Sequence, residues 1–180
     1  MGIVLLLLLG PILHGIGQVY HSNSRKIGQQ DGLAHYRVLS LLPDADGMWI
    51  GTQDGLNFFD GYEWQSWTQT AGDFSDHQVN FLLKDQSGYI WIFYTGDIQE
   101  HNQVFSIDIL SPGRDTLSSV EEKLGASLPF AVDALVQFFG DNQNRLHFFA
   151  DETLWCYGKT GQFELVNIPA GFVPQHRLPD

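Results

Sequence analysis

One four-part phrase recurs along this chain at a spacing that few folds can use. In its first copy, an apolar run at residues 38–42 meets a turn at 43–47 and continues as Met48-Trp49-Ile50-Gly51-Thr52. A second turn, Gln53-Asp54-Gly55, leads into Leu56-Asn57-Phe58-Phe59, and Asp60-Gly61 turns the chain into residues 62–67. The second copy has its runs at 79–83, 89–94, a weakly polar 98–101 and 104–109, with turns at 85–88 and 95–97. The third has them at 132–139, 145–149, 154–157 and 163–168, with turns at 141–144, 151–152 and 158–161. Short runs rich in Val, Ile, Phe, Tyr and Trp between Asp/Asn/Gly turns are strand signals.

Three positions align across the copies: Asp44, Asp85 and Asp141; Gly47, Gly88 and Asn144; Trp49, Trp91 and His147. Asn is the next best residue after Gly where a turn needs positive φ, so Asn144 is a substitution that a structural repeat tolerates. From Trp49 to Trp91 is 42 residues, inside the period of ~40–45 expected of a four-stranded blade. From Trp91 to His147 is 56, and the excess falls in a long connection at 110–130. Within it residues 117–124 read as helix, with Ser118 and Glu121 in a capping-box pattern and Gly125 as the stop.

A blade cannot bury its faces alone, so such repeats must stack. The expected fold is all-β: an incomplete β-propeller of about three four-stranded antiparallel blades, with one short helix in the 110–130 insertion. The expected division is a signal peptide at 1–17, a linker at 18–30, and blades from 31 to 180. Blade 1 takes 31–70, blade 2 takes 74–110, the insertion 111–130, blade 3 131–169, and 170–180 opens a further blade. That last reading rests on Leu178-Pro179-Asp180, which resembles Leu42-Pro43-Asp44. Three blades fall short of the ~4–8 that close a ring, so the expected first partners are the remaining blades of a longer protein. Trp49 and Trp91 are expected to fill the gaps between blades.

The N-terminus fixes the expected compartment. Residues 3–9 are an unbroken apolar run, broken by Gly10-Pro11 and resumed at Ile12-Leu13. This is too short to span a bilayer, which takes roughly 20 apolar residues, and it has the length of a signal-peptide core. Gly15-Ile16-Gly17 puts small residues where a signal peptidase reads, predicting cleavage after Gly17 and export to the periplasm, with secretion as the alternative. A net charge of −12 gives no electrostatic footprint for nucleic acid, so none is expected as a partner. The single cysteine, Cys156, has no internal partner for a disulfide and reads as an inert, buried thiol.

Gly32-Leu33, the run at 38–42, Asp44 and Gly47, Met48-Trp49-Ile50-Gly51-Thr52, Gly55-Leu56 and Phe59-Asp60-Gly61 together resemble the two-component regulator propeller repeat. That repeat fills the periplasmic sensor region of hybrid two-component histidine kinases. The first copy is one residue short between Gly47 and Met48. The second keeps Asp85, Gly88, Trp91 and Ile92 but has Phe93-Tyr94 for Gly-Thr, and the third has His147 for Trp. The resemblance implies the N-terminal portion of a ligand-sensing or interaction domain that responds to carbohydrate. It also implies that a transmembrane kinase, the second expected partner, lies downstream.

No catalytic motif is found, and no catalytic, cofactor-binding or metal-binding residue is assigned. Asp44-Ala45-Asp46-Gly47 lacks the third ligand and the bidentate Glu of a calcium loop and reads as a hairpin turn. The seven histidines, His14, His21, His35, His77, His101, His147 and His176, show no i, i+3 or i+4 pairing. Glu121-Glu122 reads as a solvated helix face. Two alternatives to a sensor stand open. One is a secreted propeller enzyme on polysaccharide, a lyase or glycosidase, for which Asp54, Asp97, Asp151 and Glu152 are the only candidates. The other is a structural interaction module. For ligand binding the candidates are Trp64 and Trp67, which point to opposite faces of their strand, so that one can be buried and the other can stack on a sugar.

Overall fold

The computed structural model describes residues 26–68, 76, 78–95 and 103–168. The signal segment, His14, His21, His77, His101, His176, Asp97, the polar stretch at 98–101 and the segment at 170–180 lie outside the described residues.

Among the described residues twelve strands form three four-stranded antiparallel sheets, each a meander in chain order. Blade 1 is β1 (Val38–Asp44), β2 (Gly47–Thr52), β3 (Gly55–Phe59) and β4 (Trp64–Trp67). Blade 2 is β5 (Val79–Lys84), β6 (Ile90–Thr95), β7 (Val104–Leu110) and β8 (Leu117–Ser119). Blade 3 is β9 (Leu135–Gly140), β10 (Leu146–Ala150), β11 (Thr153–Tyr157) and β12 (Phe163–Val166). The first strands, β1, β5 and β9, lie along the inner edge, β5 beside both of the others. The architecture is that of an incomplete β-propeller.

Blade 2 corrects the expected strand assignment. Its third strand is β7, expected as the fourth, and its fourth is β8, drawn from the segment expected to be an insertion. The helix α1 is accordingly shorter, Val120–Leu124, and its capping box sits one residue later than expected. Glu122 N–H donates to Ser119 Oγ (3.2 Å) and Ser119 N–H to a Glu122 carboxylate oxygen (3.2 Å). The reason is local: Leu117 and Ser118 pair with Leu110 and Ile109, and a strand residue cannot also begin a helix. Gly125 ends α1 at φ 64°, as the sequence implied.

Blade 1 supplies a second correction. Gly88 (φ 86°) and Asn144 (φ 56°) both occupy the left-handed region, but Gly47 does not. With one residue fewer, the first turn is the two-residue loop Ala45-Asp46, and Asp44 pairs directly with Gly47 across the ladder. Gly47 is required for space, because a Cβ there would stand 2.4 Å from the Phe59 carbonyl oxygen and 2.5 Å from the Phe58 ring.

The core is two apolar layers, one in each gap between blades. Trp49 (2% exposed) packs with Leu56, Phe58 and Trp67 of its own blade and with Val79, Leu82, Ile90, Ile92, Tyr94 and Leu110 of blade 2. Trp91 (0%) packs against Phe148 and Tyr157 of blade 3, ring centroids 5.5 and 4.9 Å away. Both rings therefore lie between blades, as the repeat spacing predicted.

The two gaps differ in width. At Gly51 an added Cβ would stand 2.5 Å from the Val79 carbonyl oxygen, so glycine lets β5 come close to blade 1, where Ser40 Oγ donates to that same oxygen (3.1 Å). The matching position in blade 2 is Phe93, which stacks flat on Phe138 of blade 3 (4.0 Å, 10°). The departure from Gly-Thr is thus filled by an aromatic pair.

Candidate functional site: the turn carboxylates and the axial cleft

The three aligned aspartates share one geometry. Each lies at the turn from its first to its second strand and accepts a hydrogen bond from the ring nitrogen of the aligned aromatic residue. Trp49 Nε1 donates to Asp44 (2.9 Å), Trp91 Nε1 donates to Asp85 (3.1 Å), and His147 Nε2 stands 3.2 Å from Asp141. The other carboxylate oxygen ties the turn. Asp85 accepts from the N–H groups of Ser87 (2.8 Å) and Tyr89 (3.0 Å), and Asp141 from those of Gln143 (2.8 Å) and Arg145 (3.0 Å). Turns two and three are therefore the same turn with Asn in place of Gly. In the shorter first turn Asp44 reaches only Ala45 N–H (2.7 Å).

Asp44 compensates across the blade gap. Lys84, the last residue of β5, forms an ion pair with it. Burial works to raise the Asp44 carboxyl, but hydrogen bonds from Lys84, Trp49 and Ala45 outweigh it and hold the group below its ordinary range. Burial likewise acts to raise Asp141, and the donors from Gln143, Arg145 and His147 hold it well below the usual carboxylate range.

These groups wall a cleft of about 410 Å³ at the inner edge, lined by Leu42, Pro43, Asp44, Leu83, Lys84 and Asp141 among others. It carries one ammonium and two carboxylates, all three already engaged. The arrangement holds turns together and presents polar edges, and it offers no free base beside a nucleophile. Among the described residues, no group of three or more His, Cys, Asp or Glu side chains is placed to hold a metal ion.

The tryptophan pair divides as the strand period requires. Trp67 is buried against Trp49 (5.7 Å), while half-buried Trp64 stacks on Phe59 (4.5 Å, 23°) with Gly32 pressed against its other side. Both rings are thus engaged in edge packing. Asp54, Asp151 and Glu152 are exposed at hairpin turns of two different blades. Cys156 is half-buried, and burial raises its thiol, in keeping with an unreactive role.

Two engaged residues had escaped the sequence reading. Arg114, on the β7–β8 turn, reaches across to blade 1. Its guanidinium lies 3.5 Å above the Phe58 ring and donates to Asp46 (2.7 Å). Asn57, fully buried in β3, accepts from Ala34 N–H (3.0 Å) and donates to Ser66 Oγ (2.5 Å), fastening the Gly32-Leu33 segment to the outer part of blade 1. A lone Arg in a Pro-Gly turn and an Asn amid Leu and Phe were the available signals.

Residues 32–54 match the family model for the two component regulator propeller. They span the first strand, the Asp44 turn, the Trp49 strand and the second turn, and so include the Asp44–Trp49 pair whose contact repeats in the other blades. Within blade 1 this stretch is similar to a two-component regulator propeller repeat. The fold agrees with two solved structures, both extracellular domains from B. thetaiotaomicron assigned to hybrid two component systems. BT3049 gives a TM-score of 0.50 at 13% identity over 73% of this chain, and BT4673 gives 0.51 at 14% over 73%. The chain spans 17% and 18% of those two chains, less than a fifth of either. No curated protein matches the sequence. The sequence match thus lies within blade 1, and what blades 2 and 3 share with the two solved structures is the fold.

Proposed function

We propose that this chain is part of an exported sensor, the N-terminal blades of a periplasmic propeller that binds a carbohydrate and signals through a downstream transmembrane kinase. The observation that carries the reading is the family match over 32–54, on the blade whose carboxylate-to-ring contact blades 2 and 3 repeat. The two solved structures of like fold are extracellular domains of proteins assigned to hybrid two component systems, which supports export and a sensory role. Among the described residues no helix is long and apolar enough to cross a membrane. The role proposed for this segment is recognition, with catalysis assigned to parts beyond it.

Three measurements test the reading. The downstream reading frame should encode further blades, a membrane-spanning helix and a histidine-kinase signature, and a frame closing without them overturns the sensor assignment. The intact protein should show a raised melting temperature with one member of an oligosaccharide panel. A kinase that responds only to a non-sugar overturns the carbohydrate part alone. Sequencing of the exported protein should find Gln18 at the N-terminus, the product of cleavage after Gly17.

A further inference from the structure

At the end that carries the Asp44 turn, the gap between blades 1 and 2 opens into a cavity of about 270 Å³, lined by Phe58, Asp60, Glu63, Trp64, Gln65 and Arg114. Phe58 and Gln65 pair across β3 and β4 and so share the face that meets blade 2, from which Arg114 reaches over. Blades added at either end of the array leave this gap as it is.

Arg114 supplies the donors. Its backbone is held in the left-handed region (φ 62°), where a side chain is uncommon, by the turn bond from its N–H to the Ser111 carbonyl (2.9 Å). Phe58 supports the guanidinium from below (3.5 Å), and Asp46 takes one of its N–H donors (2.7 Å). The remaining donors have no partner among the described residues, and the side chain is 23% exposed. A guanidinium stacked and bonded in this way presents those donors with little further ordering cost.

The other lining groups supply acceptors. Asp60 uses one carboxylate oxygen on the N–H groups of Tyr62 (2.8 Å) and Glu63 (2.7 Å), which leaves the second. The bonds from Glu63 and Tyr62 hold its carboxyl below the ordinary range, so it is ionised at neutral pH. Glu63 and Gln65 are exposed, and their side chains make no hydrogen bond among the described residues.

A sugar hydroxyl donates and accepts at once, so a polyol satisfies both kinds of group. An anion is disfavoured, because Asp46 already neutralises Arg114 and the carboxylates of Asp60 and Glu63 remain. The volume lies just below the ~300 Å³ at which drug-sized pockets begin, room for about one sugar ring. We propose that this cavity binds one neutral pyranose ring and discriminates against uronic acids. The proposal rests on the carbohydrate reading above and adds to it a place and a class of sugar.

Arg114 also clasps the two blades, so the test uses the exposed wall: Glu63→Gln and Gln65→Ala. The intact protein is titrated by saturation-transfer NMR with the methyl pyranosides of glucose, galactose and mannose, and with methyl glucuronide. At least one neutral pyranoside should bind with a Kd on the order of 1 mM, what a ligand of this size reaches, and the glucuronide about tenfold more weakly or worse. Each variant should keep the wild-type melting temperature and weaken the neutral sugar about tenfold. Glu63→Gln, with one carboxylate gone, should also narrow the difference between neutral sugar and glucuronide, a change that a purely structural residue would not make. No binding of any neutral pyranoside, a glucuronide bound as tightly, or binding indifferent to both variants overturns the site. Where a panel oligosaccharide nevertheless raises the melting temperature, the carbohydrate reading stands without this site; where none does, both fall.

Discussion

Blade 2 and blade 3 share a turn, a strand order and an Asp-to-ring hydrogen bond, yet among the described residues only blade 2 is covered on both faces. Every residue of β6 (Ile90–Thr95) is buried, while β10 alternates buried and half-buried positions. The difference is written in composition. Residues 90–94 are apolar without interruption, as a strand between two layers requires, and β10 keeps a polar His147 on its open side. Among the described residues the aligned position is Trp where a neighbouring blade covers it and His where none is described. What a repeat position demands is therefore set by its neighbour as much as by its own blade.

The sharpest way to break this comparison is to truncate the aligned rings. Trp91→Ala should cost about 3–5 kcal/mol, since it empties a fully enclosed site. His147→Ala, removing a smaller ring whose side chain is 13% exposed, should cost about 2 kcal/mol or less. Equal losses in chemical denaturation would show that the covering blade is not what makes the position matter. Next come the turn carboxylates. Asp85→Ala leaves the N–H groups of Ser87, Tyr89 and Trp91 without their acceptor at a site only 4% exposed, for a loss of about 2–3 kcal/mol. Asp44→Ala should cost less, because the shorter turn gives it a single backbone donor.

A smaller effect tests the turn itself. Gly88→Ala places a side chain at φ 86° and should cost about 1 kcal/mol, whereas Asn144→Gly should change stability by no more than about 0.5 kcal/mol. The smallest effect is in pH. The folded carboxyl of Asp141 lies below the ordinary value of 3.8, so its contribution is present above that pH and is lost as pH falls toward the folded value. Acid melts of Asp141→Asn should therefore show a shallower loss of stability below about pH 4 than wild type.

The strand-turn grammar of blades 1 and 3 was legible in the sequence because their turns follow local rules. Asp-x-x-Gly, Asp-Gly and Asp151-Glu152 each name a hairpin. Blade 2 was misread because its outer strand, Leu117–Ser119, is three residues long and follows a six-residue connection at 111–116. Nothing local marks so short a strand; its partners Ile109 and Leu110 do. The turn at Gly47 was misread for the opposite reason. Its glycine answers to the Phe58 ring and the Phe59 carbonyl, which arrive from a different strand. The Arg114 contact with Phe58 is farther still from any pattern in sequence, since it joins two blades through a turn.

The enclosure of β6 has a consequence before the fold exists. Ile90-Trp91-Ile92-Phe93-Tyr94-Thr95 holds no charge, no Pro and no Gly, the composition from which cross-β aggregates nucleate. In the export proposed above, the chain would cross its membrane unfolded, with this window bare. Its nearest charged residues are Lys84 and Asp85 on one side and Asp97 on the other, and these would act as gatekeepers during such transit. Neutralising them should lower the yield of soluble exported protein before it changes the melting temperature of what does fold.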